Sequence, residues 1–256
     1  MNHIPVALQM FTLREESSKD FTGTLKKVAE LGYEGVEFAG YYDLSTPELK
    51  AVIDDLGLRA AASHVPLIDL EADLTAVIDN QHRLGSNKIV CPYLPPERRT
   101  EEDYQELITL LNQVGKTCSE EGITLCYHNH DFELNKLSDG RTALETIFEE
   151  TNPEWVKAEF DIYWLTKAGQ NPLDWMNRYT NRTPLIHLKD MTNDEEQFFA
   201  ELGTGGIDIE SVLKKGDEAK VEWWVVEQDR SNLTPLKSIE ISMNYLKKQL
   251  PHLAQL

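Results

Sequence analysis

This chain of 256 residues has no long apolar run. The stretches from Ile123 to Tyr127 and from Trp223 to Val226 are the length of a strand, far short of a membrane span. The opening stretch, MNHIPVALQMFTLREE, lacks the basic start and apolar segment of a secretory signal, so a cytoplasmic protein is expected. Cysteine is scarce. Cys91, Cys118 and Cys126 show no CxxC spacing, and an odd number cannot all pair, so free thiols in a reducing compartment are the simplest account. Basic residues are also few: Lys and Arg number 25 against 44 Asp and Glu, a net charge of −19. Such a surface repels phosphate backbones and anionic lipid, so neither nucleic acid nor membrane is an expected partner. The charge itself reads as solubility. An apolar content of 41% with 27% charged residues excludes disorder and can fill a sizeable core.

What is present is a recurring supersecondary pattern. AELGYEGVEF, DDLGLRAAAS, HRLGSNKIVC and SEEGITLCYH each join a helix-like stretch to a short apolar segment through a glycine. Gly32, Gly57, Gly85 and Gly122 fit the left-handed position just past a helix C-terminus, where a Cβ would clash. The segments that follow have the length of buried parallel strands. Thr46, Pro47 and Glu48 read as N-cap, first helical residue and first-turn acid.

Extended along the chain, the pattern predicts strands near 5–10, 34–39, 58–64, 87–92, 123–128, 155–161, 184–188 and 221–227. Helices are predicted near 20–31, 46–56, 69–84, 101–121, 139–150, 172–179, 208–215 and 234–249, with a long acidic loop from Met191 to Gly206. Eight βα units without a linker imply one α/β domain over 1–256, a closed (β/α)8 TIM barrel.

Reactive residues in such a barrel sit at the C-terminal strand ends. There the sequence places Gln9, Glu37, His64, His128 with His130, Glu159 with Asp161, His187 with Lys189, and Glu227 with Asp229. Residues two apart share a strand face. Asp161, His187 and Glu227 would form a costly acidic cluster unless a cation compensates them. Mixed imidazole and carboxylate ligands suit one divalent ion: Mn²⁺, Zn²⁺, Co²⁺ or Fe²⁺, with Mg²⁺ admitted. One of His128 and His130 binds metal or substrate while the other supports it, and Glu133 becomes the ligand if the fifth strand ends later. Lys189 either holds a substrate oxygen or pairs with Glu159 or Asp161. The run Gly203-Thr204-Gly205-Gly206 reads as an anion cradle or, more simply, a turn. Tyr41-Tyr42 and Tyr163-Trp164 lie where aromatics stack on a sugar ring or pack the rim.

The segments LGYEGVEF, YHNHDFE, EFDIYW, IHLKDM, LGTGGID and WWVVEQD, in this order, resemble the xylose isomerase-like barrel superfamily over essentially the whole chain. That superfamily includes sugar (phosphate) isomerases and epimerases, inosose dehydratases, 3-keto-glycoside-processing enzymes and endonuclease-IV-type proteins. Its ketose epimerases hold one metal through Glu, Asp, His and Glu from strands five to eight. Asp161, His187 and Glu227 match the last three, and His128 stands where those epimerases have an acid. Many members also carry a histidine three residues past the sixth-strand aspartate, where this chain has Trp164.

The resemblance implies metal-assisted proton transfer next to a carbonyl of a small polyhydroxylated substrate. Glu227, His128 and Lys189 are the expected catalytic residues, and His128, Asp161, His187 and Glu227 the metal ligands. Glu37, His64, His130, Glu159 and Trp164 are assigned to the substrate. An isomerase or epimerase comes first and a lyase on a keto-sugar, inosose or 3-keto-glycoside second, supported by His128. A repair phosphodiesterase of the endonuclease-IV type needs a three-metal cluster with extra histidines and a basic DNA-binding face, which seven histidines and a net charge of −19 do not supply. A non-catalytic sugar-binding barrel would need no acid and base. A homo-oligomer is left open.

Overall fold

The computed structural model describes residues 3–255. Ten strands are defined among them: β1 (Val6–Gln9), β2 (Gly35–Phe38), β3 (Arg59–His64), β4 (Lys88–Cys91), β5 (Thr124–His128), β6 (Val156–Asp161), β7 (Leu185–Leu188), β8 (Asp190–Met191), β9 (Phe199–Ala200) and β10 (Trp223–Val226). Strands β1 to β7 and β10 pair in parallel and close into a barrel, with β10 between β7 and β1. The single-domain TIM barrel expected from the repeat pattern is the observed architecture.

Alternation along each strand builds two layers. Outward residues such as Leu8, Val36, Leu125, Phe160 and Trp224 belong to the main core, which the surrounding helices cover. Inward residues form a second cluster of Ala7, Ala61, Ala62, Val90, Cys126, Leu185, Trp223 and Val225. Two positions beyond Cys126, Leu185 and Val225 stand His128, His187 and Glu227, so period two stacks a polar layer on an apolar floor. Gly35 makes that floor possible, because a Cβ there would come within 2.7 Å of the Arg59 carbonyl and 2.8 Å of the Trp223 ring.

Helix boundaries largely follow the sequence pattern, and Gly32, Gly57, Gly85 and Gly122 all have positive φ. Four details differ. The N-cap of the helix Thr46–Asp55 is Ser45, not Thr46, because Glu48 reaches back to accept from the Ser45 amide at 2.9 Å. The helix expected over 69–84 is two, Leu67–Ala72 and Leu74–Leu84, since the Asp73 side chain caps the second by accepting from the Ala76 amide. A further helix, Ile162–Lys167, begins directly at the end of β6. The long loop after β7 contains the antiparallel pair β8–β9. All three cysteines are buried free thiols, and among the described residues no helix is long and apolar enough to cross a membrane.

Candidate active site and metal centre

Two histidines stand between two tiers of carboxylates at the C-terminal mouth. His128, ending β5, turns Nδ1 to Glu159 Oε2 at 3.0 Å and Nε2 toward Asp161 Oδ2 at 3.8 Å. His187 on β7 turns Nε2 to Glu37 Oε2 at 2.7 Å and Glu159 Oε2 at 3.2 Å. Its Nδ1 faces Glu227 Oε2 at 3.0 Å and Asp161 Oδ2 at 4.0 Å. Glu37 and Glu159 thus form an inner tier, which His64 joins through Nε2 at 3.2 and 2.8 Å. Gln9 Nε2 also donates to Glu37 Oε2 at 2.8 Å. Asp161 and Glu227 form the outer tier.

The Asp161 carboxylate is fixed by its neighbours. Its Oδ1 accepts from the amides of Tyr163 and Trp164 at 2.9 and 3.1 Å, capping the short helix that follows. Its own amide donates to Asn129 Oδ1 at 3.0 Å. Oδ2 is left for Lys189, whose Nζ lies 2.9 Å away and also reaches Glu227 Oε2 at 2.6 Å and Asp229 Oδ2 at 2.7 Å. Of the two pairings open to Lys189 in the sequence, the one with Asp161 is formed, and Glu227 and Asp229 replace Glu159.

Charge in this buried cluster is governed by partners. Burial opposes the charged form of His187, yet the carboxylates of Glu159 and Glu37 outweigh it and hold the ring well above the usual imidazole value. His64 is pushed up to about 10 against its burial by Glu37 and Glu159. For His128, burial and the cationic side of the cluster, His187 first, drive the value well below the ordinary one, so the ring is neutral. Burial raises Asp161 to about 6 despite the Lys189 ammonium. For Glu227 burial is overcome by Lys189 and His187, and its carboxyl lies below the usual range.

Two imidazoles and two carboxylates form a donor set for a borderline divalent ion. One donor atom from each of His128, Asp161, His187 and Glu227 lies within 4.8 Å of all the others, and so do those of His64, His128, Glu159 and His187. The two groups share His128 and His187. Oε1 of Glu37 and of Glu159 are buried without a hydrogen-bond partner. An arrangement that leaves such acceptors unpaired fits a site completed by a cation. Only the first group has Asp161 and Glu227, and Glu227 and His128 face open space.

That space is a cavity of about 820 Å³ lined by His64, His128, His130, Glu227 and Asp229 on one side. His130 packs against Phe132 and Trp164 at 5.6 and 5.4 Å, and burial with the Lys189 charge lowers it to about 3. Trp164 is half-buried beside it, with Lys189 Nζ 5.9 Å from its ring. Glu37 and Glu159 lie beneath the histidines with no exposed surface.

Several expectations change. Glu133 turns away from the cluster: it accepts from Tyr127 Oη at 2.8 Å and from the His130 amide at 2.8 Å, bracing the YHNH turn. The glycine run 203–206 cradles no free anion, because the Asp190 carboxylate already accepts from the amides of Gly203, Gly205 and Ile207 at 2.9–3.0 Å. Tyr163 is buried, stacks on Phe199 at 4.3 Å and donates to the Gln197 carbonyl, so it packs the rim. Asn129 and Asp190 escaped the sequence reading. Asn129 lies between the two histidines singled out, and Asp190 directly follows Lys189; neither belongs to a recurring spacing.

A (β/α)8 barrel with an imidazole–carboxylate cluster at its C-terminal mouth defines a TIM-barrel protein built for rim chemistry. The chain belongs to the xylose isomerase-like TIM barrel family, whose pattern matches residues 25–249. It is 25% identical to an inosose dehydratase of Clostridium beijerinckii over 269 residues, covering 90% of this chain and 89% of the relative. Its fold matches a sugar phosphate isomerase/epimerase of Parabacteroides distasonis with a TM-score of 0.81 and 25% identity, over 96% and 94% of the two chains. It also matches the IolI protein, solved with a zinc atom, at a TM-score of 0.77 and 15% identity over 97% and 98%.

Proposed function

We propose that the protein is a divalent-metal-dependent dehydratase, a lyase that removes water from a cyclic keto-polyol of the inosose kind. The isomerase placed first on sequence gives way to the lyase placed second. The observation that carries this reading is the histidine in the first ligand position. His128 offers Nε2 toward Asp161 while Nδ1 is held by Glu159. A histidine bound through one nitrogen and anchored by a carboxylate at the other is a ligand and cannot also be a base. The name of the inosose dehydratase relative, which spans nearly the same length, supports the same choice.

In this reading His128, Asp161, His187 and Glu227 hold the ion, while Glu37 and Glu159 fix the two imidazole tautomers from below. A divalent ion in that place supplies Lewis acidity that polarises a carbonyl. Glu227, facing the cavity, removes the proton on the carbon next to the carbonyl. Lys189 stays charged among Asp161, Glu227 and Asp229, and its ammonium stabilises negative charge developing on the substrate oxygen. The carbon–oxygen bond at the β position then breaks, a carbon–carbon double bond forms, and the hydroxide leaves with the proton Glu227 took. One base on one face suffices. His64 and His130 border the space for the rest of the polyol, with Trp164 packed against His130.

The test is turnover of a keto-inositol in D₂O with added Mn²⁺ or Zn²⁺. A product lighter by one water, lost on chelation and in Glu227→Gln, is expected. Exchange with inversion at a carbinol carbon and no loss of water would instead establish an epimerase.

A further inference from the structure

The barrel mouth is divided by chemistry. The residues of the metal centre come from β5, β6, β7 and the end of β10, which are contiguous around the barrel. The other half of the mouth follows β1 to β4. There the cavity wall carries Ala39, Val65, Ala72, Ala76 and Val77, with aromatic rings at its edges. Phe11, just past β1, is 40% exposed and Tyr93, just past β4, is 42% exposed, so the two flank this sector. Among the described residues the exposed large apolar side chains are Phe11, Tyr42, Ile68, Tyr93 and Leu233. Four of these five follow β1 to β4.

Of the polar side chains on this wall, Tyr41, Asn80 and Asp73 are engaged by protein partners, while Asp69 is exposed to solvent. Tyr41 Oη donates toward Ser63 Oγ and accepts from Gln81 Nε2. Asn80 Oδ1 accepts from Thr46 Oγ1, and Asp73 Oδ1 caps its helix. Along the stretch formed by Ala39, Val65, Ala76 and Val77, substrate hydroxyls would lose water without gaining side-chain partners. Apolar surface placed here gains by leaving water. Size argues the same way. The cavity of about 820 Å³ lies in the upper part of the range of about 300–1,000 Å³ that suits drug-sized ligands, and one polyol ring fills only a fraction of it.

We infer that the substrate is a conjugate: a cyclic keto-polyol set against the metal half, bearing an aryl or comparably flat apolar substituent that lies along the β1–β4 half. This rests on the keto-polyol reading of the metal half and adds the second subsite. Phe11 and Tyr93 offer faces for such a ring, and the alanines and Val77 leave room for its edge.

Equilibrium binding tests the inference without depending on turnover. The probes are the phenyl and methyl β-glycosides of one hexose, titrated calorimetrically into Mn²⁺-loaded protein. The phenyl compound should bind at least tenfold more tightly than the methyl compound. In Val77→Asp, and separately in Ala76→Asp, that advantage should shrink to under threefold while methyl glycoside affinity holds. Ala76 is exposed on the helix Leu74–Leu84, so Ala76→Asp retains the folded barrel; Val77 also packs against the core, so its variant is compared only after its melting temperature is shown to match the parent's. Equal affinities in the parent, or a phenyl advantage that survives both substitutions, overturns the subsite. A phenyl advantage in a protein that dehydrates no keto-polyol leaves the subsite standing and removes the dehydratase. Dehydration of keto-inositol with no phenyl advantage does the reverse.

Discussion

At the residue scale the site is governed by which nitrogen of each histidine faces which acid. Glu159 touches His64, His128 and His187 at once through a single oxygen, at 2.8, 3.0 and 3.2 Å. Its removal therefore disturbs both imidazole ligands although it lies beneath them. In Glu159→Gln, Mn²⁺ affinity should fall by roughly 10–100-fold, the usual cost of losing an outer-shell partner. A Mn²⁺ titration that matches the parent would show that Glu159 does not orient the ligands. Glu227→Gln keeps the shape of the side chain and removes the base, so kcat should fall by about 10²–10⁴-fold, the typical worth of general base catalysis. Retained turnover would move the base to another residue. The sequence identified most of this cluster because its members end successive strands two residues apart. It assigned Glu37 and Glu159 to substrate because strand position tells which face a side chain takes, not how deep it lies.

At the element scale, two buried polar residues join strands to their neighbours. Arg182 donates to the carbonyls of Val156 and Thr151 and to Thr151 Oγ1, and also pairs with the Phe148 carbonyl, tying the end of the helix Ala143–Glu150 to β6. Arg182→Met leaves several buried acceptors unpaired, at about 1–3 kcal/mol for each group left unsatisfied. Urea unfolding should show a loss of that order or more; a loss below 1 kcal/mol would mean water replaces the guanidinium. Glu133 gives a pH signature. Burial lifts it from 4.5 to about 7, outweighing its bonds from His130 and Tyr127. Between these values the folded chain keeps a proton that the unfolded chain has lost, so stability falls as pH rises through that window and levels off above it. Glu133→Gln, which resembles the protonated form, should match the parent near pH 4 and exceed it by roughly 3 kcal/mol near pH 8. A pH-independent difference would place the effect elsewhere. The helix Ile162–Lys167 was not legible in the sequence, because its cap is Asp161, itself a strand-end residue, and no glycine or proline separates strand from helix.

At the scale of the whole molecule, the acidic surface and the divided mouth are the main features. With a net charge of −19, self-repulsion opposes the compact state. Raising ionic strength from about 0.01 M to 0.15 M shortens the screening length from about 30 Å to 8 Å. In the presence of chelator, the melting temperature should rise over that interval and flatten beyond it. A flat or falling profile would show that the acids are locally compensated by ion pairs such as Arg141 with Asp139 and Arg178 with Glu145. The barrel itself was the most legible property, since eight strand-length apolar segments alternate with helical stretches without a linker, the first four of those junctions marked by a helix-ending glycine. The hairpin β8–β9 was not, because strands of two residues are too short to show any period.

The Asp190 carboxylate that fills the glycine turn also has a consequence in time. The amides of Gly203, Gly205 and Ile207 can exchange with deuterium only when that carboxylate lets go. Asp190 is bonded directly to Lys189, so an opening of this turn frees the backbone beside the ammonium that faces Asp161 and Glu227. Exchange at Gly203 and Gly205 is thus a clock for the lifetime of the assembled site, readable in the resting protein without any substrate.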